Sequence, residues 1–307
     1  MWSYLGRRCL TAFMTLLGIA TVVFAVVRLL PGDPAQVMLA RSGASPLAVA
    51  ALRSELGLDR PLAVQYLDWL TALARGDLGR SLFNGRAVVD LIREQLPYTL
   101  ELALAAFAVA LPLGLTLGAV GARWPNSAAG RAAMVVSVAG VALPVFWSGL
   151  LLIWVFSVQL AWLPPAGADS WRALVMPALA LGFATAGPIG RLTRASLMEV
   201  SVQPYVVVAH AKGLPERQVF VNHALRNAAV PLLTIAGLEL GFLLGGAVVT
   251  ETLFSRPGLG KLLVDAILWR DLPLVQGVVL VIASLYVITN AAVDVGAGWL
   301  SPQAGWQ

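Results

Sequence analysis

The chain has 307 residues, of which 59% are hydrophobic and only 12% are charged, and its formal net charge at pH 7 is +5. Soluble domains carry about 25% charged residues, so a soluble fold could not bury this much apolar surface. The basic residues lie between apolar blocks and form no basic stripe with aromatic residues, which argues against nucleic acid as a partner. Membrane lipid is therefore the expected surrounding of most of the chain.

Six apolar stretches are long enough to cross a membrane as helices, because about 30 Å of hydrocarbon requires roughly 20 residues. We predict spans at residues 9–30, 102–122, 133–161, 173–190, 228–250 and 272–293. The first span follows Arg7 and Arg8 and so resembles a signal peptide, but its length and the architecture after it indicate a retained helix. The sequence therefore predicts an all-α membrane protein with six transmembrane helices.

Lysine and arginine in the short loops predict the orientation of these spans. With both termini in the cytoplasm, nine basic residues lie on the cytoplasmic side and four lie in the short loops of the opposite side. The nine are Arg7, Arg8, Arg123, Arg131, Arg191, Arg194, Lys212, Arg217 and Arg226, and the four are Arg172, Arg256, Lys261 and Arg270. The long segment 31–97 is not counted, because loops of that size are translocated largely regardless of charge. The bias favours a multi-pass protein with both termini in the cytoplasm.

The segment 31–97 contains signals for helix starts, which a plain linker lacks. Ser45 followed by Pro46 is typical of an N-cap and a first helical residue, and Asp59-Arg60-Pro61 opens another stretch. We predict a small helical extracytoplasmic domain at 31–97, after the N-terminus and first helix at 1–30. A five-helix core at 98–297 and a C-terminal tail at 298–307 complete the predicted organisation.

The sequence lacks the groups that catalysis or metal binding would need. Its two histidines, His210 and His223, lie in one predicted cytoplasmic loop without a cysteine or a group of carboxylates. The single cysteine, Cys9, cannot form an internal disulfide. The stretch SRPGLGKL at 255–262 lacks the first glycine and the Ser or Thr after Lys that a phosphate-binding loop requires. We therefore expect no enzyme activity, metal site or cofactor in this chain.

Three residues of the fifth predicted span are candidates for a transport path or a gate. Glu239 is the charge most clearly inside a span, where an ionisable residue is costly enough to suggest a function. A carboxyl group paired with a polar group of a neighbouring helix explains it equally well. For Gly245 and Gly246, close helix packing is the simpler interpretation, and a hinge or gate is the alternative.

The predicted cytoplasmic stretch at about 199–227 has the pattern of two short helices joined by a turn. Gly213 is placed to end the first helix in a turn with positive φ, a conformation that glycine adopts readily, and Pro215 is placed to begin the second. Glu216 then lies near the positive end of the second helix. A helical hairpin of this kind at a membrane surface can dock a partner.

This hairpin resembles the EAA loop of binding-protein-dependent ABC permeases, with Ala209, Gly213 and Pro231 at the matching places. The acidic residue that usually begins the loop is missing, and Val207 occupies its position. The resemblance implies that the loop couples the permease to ATPase subunits. The residues to which it assigns this coupling are Ala209, Lys212, Gly213, Glu216 and Arg217.

The chain also resembles, over nearly its full length, the permease family that imports dipeptides, oligopeptides and nickel complexes. Two features depart from that pattern: Glu239 stands where an uncharged polar residue is commoner, and SPQAGWQ at 301–307 replaces a basic ending. The matching stretches are LPGDP at 30–34, LDRPL at 58–62, VQY at 64–66, GDLG at 76–79, WLPPAG at 162–167, residues 241–249, ETLFS at 251–255, PGLG at 257–260 and RDLPLVQ at 270–276.

The resemblance implies the type I ABC importer permease fold in a bacterial plasma membrane. Its expected partners are a second homologous permease in a heterodimer, two cytoplasmic ATPase subunits that bind ATP and Mg, and an extracytoplasmic binding protein. Di- or oligopeptides are the expected cargo, and nickel or another metal chelate is the alternative. An ATP-independent secondary transporter or channel would instead predict paired intramembrane charges or an inverted repeat, and the sequence shows neither.

Overall fold

The computed structural model describes residues 2–29, 45–55, 57–215, 218–220 and 226–300. Within these ranges the regular structure is helical, and an isolated β-bridge joins Arg80 to Ala87. The helices are α1 Trp2–Leu29, α2 Pro46–Glu55, α3 Leu62–Ala74, α4 Val88–Arg123, α5 Ala128–Ala142, α6 Val145–Leu152, α7 Trp171–Ser201, α8 Pro204–Ala211, α9 Arg226–Leu253, α10 Leu259–Leu268 and α11 Leu272–Leu300.

Among the described helices, α1, α4, α7, α9 and α11 are each long and apolar enough to cross a membrane. Helix α5 and the helical segment Val145–Gln159, which begins with α6, meet the same condition when they are counted as one bent span. The described chain therefore confirms the predicted all-α fold with six spans, one of which is broken.

The third predicted span, residues 133–161, is not one continuous helix. Its two halves, α5 and α6, are bent by 106° across the break at Leu143 and Pro144. Leu143 has a ψ of 125°, the extended conformation that a following proline imposes by crowding a helical predecessor. Pro144 therefore precedes the first residue of a new helix and does not lie inside a continuous one. After α6 the chain continues as a π-helix over Ile153–Gln159.

Helix α4 is longer than the second predicted span, 102–122. Its 36 residues correspond to about 54 Å at 1.5 Å per residue, which exceeds the roughly 30 Å of a hydrocarbon core. Its first turns therefore continue beyond the lipid-crossing part. The predicted limit between the small domain and the core, at residues 97 and 98, falls inside this helix.

Helix α7 lies at the centre of the bundle, since it is the most buried of the candidate spans in the described chain. It runs parallel to α4, because Ala106 and Gly114 of α4 face Gly182 and Ile189 of α7 in the same order. A Cβ on Gly114 would lie only 2.7 Å from the Cβ of Ile189, and one on Gly182 would lie 2.7 Å from the carbonyl oxygen of Ala106. Small residues at this interface allow the close backbone approach that helices use in membranes.

Helix α9 runs antiparallel to α7. Leu243 of α9 packs with Leu181 of α7, whereas Leu232, earlier in α9, packs with Leu197, later in α7. Helix α11 packs against α9, and α1 packs against α11 at the edge of the bundle. Accordingly, 17% of the span window of α1 is buried, compared with 67% of that of α7.

The two ends of the helix bundle carry different helices and loops. One end, named here the cap end, carries α2, α3, the loops 75–87 and 160–170, and the segment 254–271 that contains α10. The opposite end, named the loop end, carries the turn 124–127, α8 and residues 212–215.

Helix α3 is attached to the end of α1 by aromatic contacts. The ring of Phe24 in α1 lies 5.2 Å from that of Tyr66 and 5.5 Å from that of Trp69, measured between centroids. The hydroxyl groups of Thr21 and Tyr66 are also hydrogen-bonded, at 2.6 Å. These contacts hold the small helical part of the cap end against the first span.

Candidate functional site

The N-terminus of α10 is held by side chains from two other helices at the cap end. The carboxylate of Glu251, in the last turn of α9, accepts the backbone N–H of Gly260 at 2.7 Å and that of Lys261 at 3.1 Å. Thr99 of α4 donates its hydroxyl to the same carboxylate at 2.6 Å and accepts the N–H of Leu259 at 2.7 Å. The first N–H groups of a helix lack partners within it and favour a negative charge. Glu251 and Thr99 together therefore complete the start of α10.

Two glycines allow the start of α10 to lie against this carboxylate. A Cβ on Gly260 would lie 2.9 Å from Oε2 of Glu251, and a Cβ on Gly258 would overlap the same carboxyl group. Both glycines belong to the PGLG stretch at 257–260. The close approach of α10 to Glu251 thus requires residues without a side chain at these two positions.

Arg256 is buried beside Glu251 although its guanidinium is charged. Only 1% of its side chain is exposed, and Nη2 donates to Oε2 of Glu101 at 2.5 Å, whereas the Glu101 side chain is 53% exposed. The guanidinium also lies 5.9 Å from the centre of the Tyr98 ring, a cation–π arrangement. Within the part of the chain that the structure describes, its buried Nε has no hydrogen-bond partner. The Arg256 charge is therefore held mainly by one partly exposed carboxylate and one ring.

Asp271 joins the start of α11 to the loop that precedes α4. It is completely buried, and its Oδ1 accepts the N–H of Leu274 at 3.3 Å, as an N-cap residue does. The same carboxylate accepts the hydroxyl of Ser81, the N–H of Leu82 at 3.1 Å and the N–H of Phe83 at 3.3 Å. One buried carboxylate thus satisfies donors from two segments that lie far apart in the sequence.

Apolar contacts join the same segments. The rings of Phe83 and Trp269 are stacked, with centroids 4.2 Å apart and planes at 9°. A buried cluster beside them combines the start of α4 with α10 and α11: Val88, Leu91, Ile92, Leu259, Ala266, Leu274 and Val278. The carboxylates of Glu251 and Asp271, the groups that donate to them, and this apolar cluster are together named the cap joint.

Sequence reasoning did not identify the residues of the cap joint. Glu251 directly follows the span predicted at 228–250, and the sequence assigned no role to its charge or to Asp271. The available signals were a carboxylate in ETLFS followed by the two glycines of PGLG, and an aspartate just before the last span in RDLPLVQ. Neither pattern indicates which distant donors the carboxylate meets.

A cavity of about 760 Å³ lies between α1, α9 and α11. Gly245 and Gly246, two of the predicted path or gate residues, line this cavity, and Glu239 does not belong to its lining. The lining is mainly apolar, with hydroxyl groups from α1 and the amide of Asn290 among its polar groups. In the described chain, Oδ1 of Asn290 is buried without a hydrogen-bond partner.

The three predicted path residues differ in their surroundings. A Cβ on Gly245 would meet no atom within 4 Å, whereas a Cβ on Gly246 would lie 3.6 Å from the side chain of Leu181 in α7. Packing within the described chain therefore explains Gly246 better than Gly245. Glu239 is partly buried, and its carboxylate forms no hydrogen bond or ion pair within the described ranges.

At the loop end, the structure describes only part of the predicted coupling hairpin. Ala209 of α8 is buried in a small cluster with Val206 and Val219, so the two arms of the hairpin pack through small and β-branched side chains. Lys212 is exposed, and Gly213 has a φ of +75° with open space where a Cβ would lie. The positive φ predicted for this turn is confirmed. The other two predicted coupling residues, Glu216 and Arg217, lie outside the described residues.

The two histidines belong to this same region. His210 lies in α8, and His223 lies outside the described residues. Among the described residues, no group of three or more His, Cys, Asp or Glu side chains is placed to hold a metal ion.

The sequence matches known protein families over nearly its whole length. The profile of binding-protein-dependent transport system inner membrane components matches residues 110–305, and that of the N-terminal part of such membrane components matches residues 1–103. The glutathione transport system permease protein GsiC of Salmonella choleraesuis (strain SC-B67) is 41% identical over 302 residues, which are 98% of each chain. GsiC of Escherichia coli (strain K12) is 40% identical over 302 residues, with the same coverage.

Two solved structures share the fold at low sequence identity. A chain of the MetNI methionine ABC transporter, in inward-facing conformations, has a TM-score of 0.57 and 16% identity; the match covers 69% of this chain and 97% of that chain. A chain of an amino acid ABC transporter has a TM-score of 0.51 and 18% identity, with coverage of 70% and 94%. Since two family profiles span almost the whole sequence and full-length relatives are about 40% identical, the chain belongs to the family of binding-protein-dependent transport system inner membrane components, the permease subunits of ABC importers.

Proposed function

We propose that this ABC importer permease carries short peptides, of the size of glutathione, that a binding protein delivers to it. The observation that supports this cargo is the 41% identity, over 302 residues, with a permease named for glutathione transport. Glutathione is a tripeptide, so the proposed cargo lies within the di- and oligopeptide class that the sequence indicates. Nickel or another metal chelate is the competing cargo in the experiment below.

In this proposal the cap end faces the outside of the cell, and the loop end and both termini face the cytoplasm. The support is the bias of nine basic residues against four in the short loops. The segment 31–97 then forms the small extracytoplasmic domain, which contains α2, α3 and the first turns of α4. The core at 98–297 crosses the membrane of the bacterial cell, and the tail at 298–307 lies in the cytoplasm.

A second, homologous permease completes the transport path as the other half of a heterodimer. On α9, four residues at successive spacings of four, three and four are exposed in this chain: Leu238, Phe242, Gly245 and Val249. Residues at this spacing share one helix face, and a glycine in such a face allows another helix to approach closely. We assign this face to the path shared with the second permease. Glu239 and Gly246 lie within one turn of Phe242 and belong to the same part of the path.

Two ATPase subunits, which bind ATP and Mg, dock at the loop end in this proposal. The predicted coupling residues are Ala209, Lys212, Gly213, Glu216 and Arg217. Among described residues of α8, the side chains of Tyr205, Val207 and Val208 are exposed, although they are large and apolar. An exposed apolar patch on a helix outside the spans is typical of a protein–protein contact. This patch would be covered by an ATPase subunit, and the cap end would receive the binding protein.

The test is transport by the complete assembly in proteoliposomes, with its cognate second permease, ATPase subunits and binding protein. Uptake is measured for three labelled probes: glutathione, dialanine and a nickel–histidine complex. We expect ATP-dependent uptake of one or both peptides and none of the nickel complex. Uptake of the nickel complex alone would refute the proposed cargo.

The same experiment separates the ABC mechanism from an ATP-independent secondary transporter or channel. Vesicles loaded with a non-hydrolysable ATP analogue form the matched control. We expect this control to abolish accumulation, because hydrolysis by the partner subunits drives the conformational change of the permeases. Uptake that persists at the same rate with the analogue would exclude the coupled mechanism.

A further inference from the structure

We propose that Glu251 and Asp271 are positioning residues that join two distant segments, residues 78–101 and 251–278, into one rigid unit during transport. We name these segments together the cap body. This inference rests on the proposed orientation and partners, because it concerns how a movement that the binding protein causes at the cap end reaches the transport path. The path itself is assigned above to α9, whose last turn contains Glu251.

The first connection is made by Asp271. Its buried carboxylate caps α11 through Leu274 and at the same time binds Ser81, Leu82 and Phe83 of the loop that precedes α4. A carboxylate removed from water is stable only while such donors remain in place. Parting of this loop from α11 would leave the buried carboxylate with the N–H of Leu274 as its one remaining donor among those named here, and would remove the Asp271 acceptor from Ser81 and Leu82. The loop and the start of α11 are therefore expected to stay together.

The second connection is made by Glu251. Its carboxylate binds Thr99 of α4 and the backbone of Gly260 and Lys261 in α10, and it is itself part of α9. Because Thr99 also accepts the N–H of Leu259, α4, α9 and α10 meet at one pair of side chains. Glu251 is completely buried. Movement of α9 away from α4 at this level would therefore cost free energy, because the buried carboxylate would lose hydrogen-bond donors.

The apolar part of the cap joint makes the two connections one unit. Val88 and Ile92 of α4 pack with Leu259 of α10 and Leu274 of α11 in a single buried cluster. Gly277 of α11 is in close contact with Val88, since a Cβ on Gly277 would lie 2.5 Å from the Cγ1 of Val88. Packed interfaces of this kind switch between discrete arrangements and do not deform continuously. A binding protein that moves the loop 75–87 therefore moves the ends of α9 and α11 with it.

A reversible disulfide across the cap body tests this inference. A Cβ on Gly79 would lie 3.7 Å from the Cβ of Pro273, close to the mean of about 3.8 Å found in disulfides. The variant carries Gly79→Cys and Pro273→Cys together with Cys9→Ser, which removes the single native cysteine. Gly79 has a φ of +81°, so a side chain there adds backbone strain, which is present in both the oxidised and the reduced form. The oxidised and reduced forms of one assembled preparation are therefore compared with each other.

If the cap body is rigid, oxidation leaves ATP-dependent glutathione uptake within about two-fold of the reduced form, because a bond inside a rigid unit restricts no necessary motion. If the loop must part from α11 in each cycle, oxidation abolishes uptake and reduction restores it, which overturns the inference. An unmodified assembly that takes up no probe refutes the proposed cargo instead. The effect of oxidation is then measured on binding-protein-stimulated ATP hydrolysis, which requires no assigned cargo.

A second variant tests the carboxylate itself. Asp271→Asn replaces one acceptor oxygen by an N–H₂ group that faces donors, and we expect binding-protein-stimulated hydrolysis to fall by about five- to ten-fold, within the usual range of coupling effects. The control is Thr116→Val in α4, away from both ends of the bundle, where an exposed hydroxyl donates only to carbonyl groups of its own helix; it should leave stimulated hydrolysis unchanged. Oxidation of the Gly79→Cys and Pro273→Cys pair in the Asp271→Asn background should restore stimulation, since the covalent bond replaces the lost connection. Unchanged stimulation in Asp271→Asn, or no recovery on oxidation, would overturn the role of Asp271.

Discussion

The hydroxyl of Thr99 donates to the carboxylate of Glu251 at 2.6 Å and accepts the backbone N–H of Leu259 at 2.7 Å. One hydroxyl group thus uses both its hydrogen-bonding capacities to connect three helices, α4, α9 and α10. Thr99 is buried, so water cannot replace either bond if the hydroxyl is removed. This position is therefore a sensitive probe of the cap joint.

Thr99→Val keeps the shape of the side chain and removes both bonds. We expect it to lower stability by about 1–3 kcal/mol, because a buried N–H and a buried carboxylate oxygen each lose a partner. Thr99→Ser retains the hydroxyl and should remain closer to the unmodified protein. The measurement is the midpoint of thermal aggregation of the purified permease in detergent.

A control for the Thr99 experiment lies on the same helix. Thr116 is exposed and its hydroxyl donates only to carbonyl groups of its own helix, those of Pro112 and Leu113. Thr116→Val should therefore leave the aggregation midpoint unchanged. Equal effects of the two valine substitutions would mean that the bond between Thr99 and Glu251 contributes nothing measurable.

Gly213→Val tests the coupling role proposed for the loop end. Gly213 has a φ of +75°, which a β-branched residue adopts only with strain. We expect the variant to insert and fold its spans normally, but to retain fewer ATPase subunits and to lose hydrolysis stimulated by the loaded binding protein. The three measurements are ATPase subunits retained per permease, stimulated hydrolysis, and uptake in proteoliposomes.

Asparagine provides the matched control at this position, because it tolerates positive φ better than other residues with a side chain. Open space surrounds the Cβ position of Gly213, so Gly213→Asn should couple almost normally. If Gly213→Val gives normal values in all three measurements, the turn serves only to end α8. The local cost of the change would then be about 1 kcal/mol.

Sequence reasoning identified the spans because long apolar runs in a chain with 12% charged residues are typical of membrane helices. Helices α7, α9 and α11 contain the predicted stretches 173–190, 228–250 and 272–293 but extend past one or both of their ends. The apolar run marks the part in lipid, whereas the helix continues into polar sequence until its hydrogen bonding ends. Boundaries are for this reason the weakest part of the prediction.

The cap joint could not be predicted, since it depends on contacts between distant residues. Thr99 and Glu251 are 152 positions apart, and a carboxylate at the end of an apolar run has the same local pattern whether it is exposed or buried. The positive φ of Gly213 could be predicted because a helix end is determined by a few neighbouring residues. Local geometry was therefore accessible from the sequence, and the partners of buried charges were not.

Glu239 is expected to act through hydrogen bonding or charge and not through its bulk. An intramembrane carboxyl costs about 2.5–3.5 kcal/mol on insertion scales unless it is compensated, and within the described ranges this one has no ion-pair partner. Glu239→Gln should preserve assembly and most glutathione uptake, and Glu239→Leu should reduce uptake more. Uptake by the leucine variant at the unmodified rate would show that Glu239 neither lines the path nor pairs across it.

The proposed orientation predicts opposite accessibility for Ala74 and Gln218, which are both exposed in the structure. Single cysteines at these positions are introduced in the Cys9→Ser background and treated with an impermeant thiol reagent in intact spheroplasts. Ala74→Cys, at the cap end, should react, whereas Gln218→Cys should react only after the membrane is permeabilised. The reverse pattern would place the cap end in the cytoplasm.

Gly118 and Gly245 offer a direct comparison between a packed glycine and an open one. A Cβ on Gly118 would lie 2.5 Å from the carbonyl oxygen of Gly190 and 2.7 Å from the Cγ2 of Thr193 in α7, whereas a Cβ on Gly245 would meet no atom within 4 Å. Because a backbone carbonyl cannot rotate away, Gly118→Ala must push α4 from α7 and should cost about 1–3 kcal/mol.

Gly245→Ala gains the same helix propensity without a clash in this chain, so it should leave the aggregation midpoint of the isolated permease equal or higher. In the proposed heterodimer, however, this position faces the path shared with the second permease, and the added methyl group should there reduce uptake. The two variants therefore separate stability from transport: Gly118→Ala lowers the aggregation midpoint of the isolated chain, and Gly245→Ala lowers uptake by the assembly. Normal uptake by Gly245→Ala would remove this glycine from the path, and an unchanged midpoint for Gly118→Ala would mean that α4 and α7 pack less closely than the structure indicates.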